Sequence, residues 1–479
     1  MSTRLVQTPT SRVRFGHARV EITPPVGIYH RLWGAARHDR ASGVHRPLVA
    51  DVLVLAPRDG STPAMVHVCT DLCGLADAPQ QEIGAAIAEV VRVAPDRVQI
   101  THSHTHSSGW FVADRIPLPG GELIPAYLAE LRRTLAEAGS QAAASVADGT
   151  ITYGTGRCNL AANRDYWDDQ LGAHACGTNP DAPADDTVLV ARVTDPAGRL
   201  RATLVNYACH PTTLAWDNSL ISPDYVGAMR EVVEAATTGP CVFAQGASGD
   251  VGPRYGFVGD TAVADRNGRQ LGYAALSALT ALGGTATDFG YDGPVVSGAT
   301  LGAWSDRPQS PEHVAATERF AGGQSTVELP LKPRPDRAAL QAELDAREAA
   351  KREADAAGNP AAARDAGAHA ERARRWLARL ADLPDGASYP HPYSVYRLGD
   401  AIWVTCGGEP YNQLQRDLRQ RFPDRPILVS PLAGALQVAY LLPRERYGQG
   451  LYQEEPSILA PGCLELLTGA IAAKIQELT

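Results

Sequence analysis

The sequence predicts an α/β fold: a single large domain with mixed β-sheets and flanking helices, plus an inserted helical hairpin. Apolar, strand-like runs alternate with stretches of helical periodicity along most of the chain. No linker or internal repeat interrupts this alternation, which favours one domain over several. Several strand-like runs also stop at a polar residue that could bind a ligand, as is typical of sites at the carboxyl ends of strands.

Composition and charge exclude several classes of function. A chain of 479 residues with 44% hydrophobic and 20% charged residues has ordinary globular composition. The net charge of −9, with no Lys/Arg-rich run, argues against nucleic acid as a partner. No window approaches the roughly 18 consecutive apolar residues of a membrane span. The first 12 residues are polar and contain no apolar signal-peptide core.

Eight cysteines are scattered over the chain rather than concentrated in a short segment. This distribution favours reduced thiols over a disulfide framework, so we expect a cytoplasmic protein. A homo-oligomer is compatible with the sequence, which leaves the oligomeric state open.

The first half of the chain is predicted to be rich in strands. Residues 1–12 are expected to be a disordered tail before a domain spanning 13–478. Alternation or apolar runs predict strands at 13–23, 49–56, 64–69, 97–100, 150–155, 188–193 and 202–209. Helical periodicity predicts helices at 80–93 and 127–144. The segment 163–186, rich in Asp, Asn and Gly, is expected to be an irregular loop.

The second half is predicted to contain more helix. The same patterns predict helices at 225–236, 261–282, 411–422 and 464–478, and strands at 241–245, 396–406 and 427–430. The Ala-, Arg- and Glu-rich segment 336–381 breaks at Gly358-Asn359-Pro360 and predicts a helical hairpin of 336–356 and 361–381. We interpret it as a solvated helix pair rather than a lid or a subunit contact.

Three histidines stand at every second position where one predicted strand ends: His102, His104 and His106. In an extended backbone such residues point to one face. Neutral imidazoles are ligands that zinc prefers, so this pattern predicts a metal site. The alternative is one core histidine bonded to a carbonyl and two loop histidines.

Four other strand-like runs also stop at polar residues that could bind a ligand. They are residues 205–211, 243–250, 404–410 and 431–440. Because loops converge at the carboxyl ends of strands, we expect these ends to meet in one site.

These motifs, taken in order, resemble those of the neutral/alkaline ceramidases. His104-Thr105-His106-Ser107 resembles T-H-T-H-S-G-P. His210-Pro211-Thr212 with Ser222-Pro223-Asp224 resembles H-P-T followed by S-x-D. Gly249-Asp250-Val251-x-Pro253 is similar to G-D-V-S-P, and Gly408-Glu409 to G-E-F. Tyr440 with Pro443-Arg444-Glu445-Arg446-Tyr447 is similar to Y-V-T-T-P-E-E-Y. The likeness runs from about Val13 to Pro461.

The resemblance implies a zinc ion held by His104, His210, Glu409 and Tyr440. It also implies that His106 and Arg164 lie near the substrate carbonyl. Asp250 and Tyr447 become catalytic candidates because they lie inside matching motifs. We further expect Asp71 to orient a ligand histidine as a nearby carboxylate. His102 lies outside the family motif, and no organic cofactor is implied.

One position departs from the family pattern. The serine of G-D-V-S-P is the family's nucleophile, but this chain has Gly252 there. Three interpretations follow: zinc-bound water replaces the serine, Ser248 has taken over, or hydrolysis has been lost. We favour water, because a zinc ion with an open position needs no side-chain nucleophile.

The predicted function is therefore zinc-dependent hydrolysis of an amide, ester or lactam bond in a small soluble substrate. A dinuclear hydrolase of the metallo-β-lactamase type would need H-x-H-x-D-H, and the aspartate is absent after His106. A metal-dependent binding protein, or lyase or transfer chemistry on the same scaffold, remains an alternative. The sequence does not decide between zinc, iron and manganese.

Overall fold

Strands and helices alternate along the chain and confirm the predicted mixed α/β fold class. The computed structural model describes residues 4–479, apart from the side chain of residue 382.

Within these residues there are 22 strands and nine α-helices. The strands are β1 (Leu5–Val6), β2 (Thr10–Glu21), β3 (Gly43–Val44), β4 (Val49–Ala56), β5 (Met65–Thr70), β6 (Val98–His102), β7 (Ala147–Arg157), β8 (Ala161–Asp168), β9 (Ala173–Asn179), β10 (Thr187–Thr194), β11 (Leu200–Tyr207), β12 (Leu220–Ile221), β13 (Cys241–Gln245), β14 (Val251–Pro253), β15 (Thr287–Ser297), β16 (Ala299–Pro308), β17 (Phe320–Pro330), β18 (Ser388–Leu398), β19 (Ala401–Cys406), β20 (Glu409–Pro410), β21 (Ile427–Ser430) and β22 (Tyr440–Leu441). The helices are α1 (Asp77–Val91), α2 (Ile124–Ala144), α3 (Tyr225–Thr237), α4 (Thr261–Thr280), α5 (Pro311–Thr317), α6 (Arg337–Ala356), α7 (Pro360–Asp382), α8 (Gln413–Arg421) and α9 (Cys463–Leu478).

Two mixed sheets form the centre of the fold. The larger has eight strands in the order β13-β11-β10-β7-β2-β4-β5-β6, and the smaller has the order β17-β18-β19-β21. The pairs β5/β6, β11/β13 and β19/β21 are parallel, while the other pairs in these two sheets are antiparallel. Parallel pairing needs long crossover connections, which here contain α1, α3 and α8.

Alternating side chains show how the two sheets pack. Along β4, Val52 and Val54 join the core under α1 and α2, whereas Leu53 and Leu55 point to the opposite face. The side chains of that opposite face pack against Trp403 of β19. The neighbours of Trp403 in sequence, Ile402 and Val404, lie in the core with α8 and α9. The fold is therefore layered as helices, large sheet, small sheet and helices.

Three parallel strands end at the same edge of this sandwich, and each is followed by a residue of the predicted site. His104 follows β6, His210 follows β11, and Glu409 follows β19. Glu409 of β20 is also paired in parallel register with Tyr440 of β22. The layering therefore brings together residues that are far apart in sequence.

The structure corrects two expectations about irregular segments. Residues 5–12 are not a disordered tail: they include β1 and the start of β2. Thr10 and Ser11 are polar yet buried, because partners remote in sequence satisfy them: Ser11 Oγ lies 2.9 Å from the Tyr153 hydroxyl. Residues 1–3 of that expected tail lie outside the described residues. The segment 163–186 is not an irregular loop either, since it contains most of β8 and all of β9, paired antiparallel.

The segment expected to form a helical hairpin holds α6 and α7, but the interpretation as a solvated pair is wrong for α7. Trp376 on this helix is buried, and the backbone of Ala368 packs closely against Gly34. Arg115, itself fully buried, donates two hydrogen bonds to Glu371, at 2.9 and 2.7 Å. Helix α7 is therefore docked on the body of the protein through a buried, bidentate ion pair.

Two further observations concern the membrane and the thiols. Within residues 4–479, no helix combines the length and apolar character needed to cross a bilayer. All eight cysteines are free thiols.

Replacing Glu371 with alanine should destabilise the protein by about 3–5 kcal/mol, because Arg115 would remain buried without its carboxylate. Burial acts to raise the pKa of Glu371, but Arg375 and Arg115 outweigh it and lower the pKa to about 2. The folded-state pKa is thus below the unfolded value, so the stabilisation is present above about pH 4.5 and is lost as the pH falls towards 2. Urea unfolding of the wild type and of Glu371→Ala at pH 7 and pH 3 would measure this difference in the free energy of unfolding.

The matched control is Glu343→Ala, which removes the half-exposed pair between Arg372 and Glu343. It should cost less than about 1 kcal/mol. Equal losses in the free energy of unfolding for Glu371→Ala and Glu343→Ala would contradict docking of α7 through Glu371.

Candidate active site

The path of the chain at the end of β6 separates the three alternating histidines. The strand ends at His102, and His104 has a left-handed φ of 69°, so the extended backbone does not continue. His104 and His106 turn towards the other strand ends. The nitrogens of His102 instead lie within hydrogen-bond distance of Thr70 Oγ1 and Gln80 Oε1, at 2.7 and 3.0 Å. The expectation that all three share one face is therefore wrong for His102.

The second and third strand ends supply His210 and Glu409. The backbone N–H of His210 donates to the Val251 carbonyl at 3.1 Å, which ties it to β14. Gly408, immediately before Glu409, has a φ of 65°, and a Cβ there would lie only 2.9 Å from the Ala439 carbonyl oxygen. A glycine is needed at this position so that β20 and β22 can lie side by side.

The cluster of His104, His210 and Glu409 has the properties of a metal site. Their potential ligand atoms all lie within 4.8 Å of one another. Oε2 of Glu409 is 3.3 Å from Nε2 of His104 and 3.7 Å from Nε2 of His210. Both Nε2 of His104 and Oε2 of Glu409 are buried, and neither has a hydrogen-bond partner among the described residues. Buried polar atoms without a partner are costly, and a bound cation would satisfy both.

Backbone carbonyls orient the two imidazoles. Nδ1 of His104 faces the Cys73 carbonyl at 2.5 Å, and Nδ1 of His210 faces the Ser248 carbonyl at 3.3 Å. An Nδ1–H that donates to a carbonyl leaves the Nε2 lone pair free for a metal. A second group, made of Cys73, His104 and His106, also lies within ligand distance. It is the poorer candidate because Nδ1 of His104, which lies 3.6 Å from the thiol, is already directed at a carbonyl.

Burial acts to lower the pKa of His104, but Cys73 and Glu409 outweigh it and raise the pKa well above its ordinary value, so a cation would displace a proton there. The charge states of His210 and Glu409 suit metal binding directly. Burial, reinforced by Arg164 and His104, lowers the pKa of His210 well below its ordinary value. Burial acts to raise the pKa of Glu409, but His104 and Arg164 outweigh it, so the net shift is downward. The site thus favours a neutral His210 and an ionised Glu409, which are the forms that bind a divalent cation.

Tyr440 and Arg164 lie beside this cluster. The rings of Tyr440 and His210 are stacked with centroids 6.5 Å apart. Nη2 of Arg164 donates to the Tyr440 hydroxyl at 3.1 Å and to the Gly249 carbonyl at 2.7 Å. Burial, with the nearby charge of Glu409, raises the pKa of Tyr440 well above its ordinary value. The phenol therefore remains protonated at neutral pH in the absence of a cation.

His106 lies at the open side of the cluster. It is half-buried, its Nε2 lies 3.2 Å from Nε2 of His210, and its ring centroid is 5.2 Å from that of Trp33. Burial, His104, Arg164 and Arg375 lower its pKa well below the ordinary value. A neutral imidazole facing solvent can accept or deliver a proton.

Three further predicted residues have hydrogen-bond partners outside the His104, His210 and Glu409 cluster. Asp71 does not orient a histidine: it forms a bidentate pair with Arg230 at 3.1 Å. The oxygens of Asp250 accept hydrogen bonds from the Asn412 N–H and the Asn163 side chain, which fixes the backbone around Arg164. The hydroxyl of Tyr447 donates to the Leu459 carbonyl at 3.1 Å. Catalytic roles for Asp250 and Tyr447 remain predictions.

Sequence reasoning missed Trp33 and Arg375, both close to His106. Trp33 lies in a loop without a motif. Arg375 lies in a helix whose composition is typical of a solvated surface. Only the fold places them at the site.

The fold and the site define an α/β protein with a cluster of histidine and glutamate side chains suited to a metal. The sequence matches the family described as neutral/alkaline non-lysosomal ceramidase, N-terminal, over residues 14–266. The chain belongs to this family, which identifies it as a hydrolase acting on a non-peptide carbon–nitrogen bond.

Solved structures agree with this fold. The neutral ceramidase from Pseudomonas aeruginosa aligns with a TM-score of 0.64 and 17% sequence identity, over 98% of this chain and 74% of that protein. A ceramidase in complex with C2 aligns with a TM-score of 0.63 and 17% identity, over 98% of this chain and 76% of that protein. Among curated protein sequences, none matches the chain significantly.

The purified protein should contain about one divalent cation per chain, and His210→Ala and Glu409→Gln should each lose it, because each removes a ligand from a three-residue cluster. Elemental analysis after dialysis would measure the metal content.

His102→Ala is the matched control. This buried histidine lies in the same motif, but its nitrogens face Thr70 and Gln80. It should keep the metal. Loss of metal in all three variants alike would show that the cluster is not the binding site.

Proposed function

We propose that the protein is a zinc-dependent hydrolase that cleaves an amide, ester or lactam bond of a small substrate, with water as the nucleophile. The observation that carries this proposal is the pair of buried, unpartnered atoms, His104 Nε2 and Glu409 Oε2, beside His210. His104, His210, Glu409 and Tyr440 would hold the ion. A zinc ion in such a site polarises a carbonyl and lowers the pKa of water to about 7, which supplies a nucleophile at neutral pH.

The chain's own side chains support this chemistry. His106, neutral and half-buried, takes a proton from water or gives one to the leaving amine. Arg164 positions the Tyr440 hydroxyl, and its positive charge stabilises negative charge that develops on the substrate carbonyl oxygen. Both residues are anchored by the backbone: the N–H of His106 donates to the Pro211 carbonyl and the N–H of Arg164 to the Asp250 carbonyl.

The surroundings of Gly252 bear on the nucleophile. Gly252 pairs with Ala162 between β14 and β8. A Cβ at Gly252 would lie 3.9 Å from His210 Cβ and 3.8 Å from Arg164 Cδ, which is ordinary contact. The site therefore has room for a serine, although the sequence does not supply one. Ser248 is a poor substitute, because its carbonyl rather than its hydroxyl faces His210, and Gln245 donates to the hydroxyl at 2.7 Å.

The glycine also favours a second candidate function. A family member that keeps its metal site but lacks the serine would bind its ligand without turning it over, or would perform other zinc-assisted chemistry.

Zinc-loaded wild-type protein should hydrolyse N-acyl substrates, and His104→Ala should lose at least about 100-fold in kcat/KM together with its zinc, because the ion activates the nucleophile. The substrate panel should include short N-acyl amines and a short-chain ceramide, since the family name points to lipid amides. Zinc content and release of free amine would be measured on the same samples.

Gly252→Ser separates the two candidate functions. The proposed reaction does not need this serine, so the wild-type protein should already hydrolyse the substrates without the substitution. A wild type that binds zinc but stays inert until Gly252→Ser restores turnover would support the binding protein instead. Wild type without any zinc would contradict both.

A further inference from the structure

Helix α7 contacts loops on both flanks of the site. On one flank, Nη2 of Arg375 donates to the Leu32 carbonyl at 2.5 Å. The ring of the next residue, Trp33, is tilted against that of His106, with centroids 5.2 Å apart. Arg375 is thus hydrogen-bonded to the residue that precedes Trp33, and Trp33 is a direct neighbour of His106.

On the other flank, Trp376 of α7 donates from Nε1 to Glu455 at 2.8 Å. Glu455 closes the short helical turn 452–454, and the Tyr452 ring lies 5.9 Å from the Tyr440 ring. The helix therefore bridges from the His106 side of the site to the Tyr440 side.

This helix brings more positive than negative charge to the site. The single carboxylate of Glu371 accepts hydrogen bonds from Arg115, Arg374 and Arg375. Arg374 also pairs with Glu348 of α6, whereas Arg115 and Arg375 share Glu371. The charges of Arg375 and Arg164 both act on His106, and positive charge of this kind attracts anions.

Two arginines on one face of α7 keep free hydrogen-bond donors. Arg375 uses Nε for Glu371 and Nη2 for Leu32, and its Nη1 has no acceptor among the described residues. Arg379 follows one turn later on the same face, with its guanidinium 5.7 Å from the Trp376 ring centroid. Its nitrogens form no hydrogen bond with the side chains that the structure describes. A guanidinium with open donors suits bidentate binding of a carboxylate.

We propose that Arg375, assisted by Arg379, binds a carboxylate on the amine side of the scissile amide, so that the substrate is an N-acyl amino acid rather than a neutral amide. This inference rests on the proposed function, because it assigns the substrate class of the same site. The reaction adds one water: the acyl carbon–nitrogen bond breaks, the acyl group leaves as a carboxylate, and the nitrogen takes a proton to leave as a free amino acid. The amine side is chosen because Arg375 holds the Leu32 carbonyl next to Trp33, on the His106 side of the site.

A matched pair of substrates tests this, N-hexanoylglycine and N-hexanoylglycinamide, which differ in one negative charge. Wild type should favour the glycine compound by about 10- to 100-fold in kcat/KM, because a hydrogen-bonded charge pair contributes that much. Arg375→Gln should remove most of the preference, mainly by raising KM for the glycine compound, so that the ratio of the two kcat/KM values falls towards one. Arg379→Gln should reduce the preference without disturbing the contacts of Glu371 and Leu32.

Arg374→Gln is the control, since Arg374 lies on the same helix and also contacts Glu371 but pairs with Glu348 of α6. It should keep the preference. Thermal unfolding of each variant shows whether α7 remains docked. Equal rates for the two substrates in wild type, or an unchanged preference in both Arg375→Gln and Arg379→Gln, would overturn the proposal.

Failure of the proposed function gives a different result. If neither substrate is hydrolysed, calorimetry can still measure the binding of N-hexanoylglycine and N-hexanoylglycinamide. This comparison tests whether Arg375 binds a carboxylate. Tighter binding of the glycine compound that disappears in Arg375→Gln supports the carboxylate site even though hydrolysis has failed. Equal binding of both compounds rejects the carboxylate site.

Discussion

The packing of the two sheets on each other is the constraint on which the site depends. Residues of β4 and β10 on one side and Trp403 and Leu428 on the other fill the layer between the sheets. Because this layer is dry and closely packed, the strands of the two sheets cannot slide past each other without opening cavities. The distance between His210, which follows a strand of the large sheet, and Glu409, which follows a strand of the small one, is therefore set by the core.

Much of this arrangement could be predicted because strand ends leave a local signal. Apolar runs that stop at His210 and Glu409 are visible in the sequence, and the convergence of such ends is a general rule. The difference between His102 and His104 was not visible, since alternation looks the same whether the backbone stays extended or turns left-handed. The beginning of β2 was missed because the partners that satisfy its polar residues, such as Tyr153 and Asp400, are remote in sequence. Arg375 was missed for the same reason: its acceptor, Leu32, is 343 residues away.

The backbone at Gly252 is held in place without any side chain of its own. The backbone around it is held by β8 and by the N–H of His210, and neither contact involves a side chain at position 252. The loss of a hydroxyl there consequently leaves the positions of His210 and Arg164 unaffected. Catalytic residues that project from a backbone secured by other contacts can be exchanged at little cost in stability, which is one route by which a shared fold serves different reactions.

The sharing of Glu371 between Arg115 and Arg375 has a consequence for the local dynamics of the inserted helices. The same carboxylate docks the insertion and holds one of the arginines that face the site. Undocking of α7 would withdraw Arg375 from the site, so an anion that binds to Arg375 favours the docked state. Thermodynamic reciprocity requires that docking favour binding of the anion by the same factor. The insertion would then open and close with the concentration of anion, and amide hydrogens along α7 would exchange more slowly as the site fills.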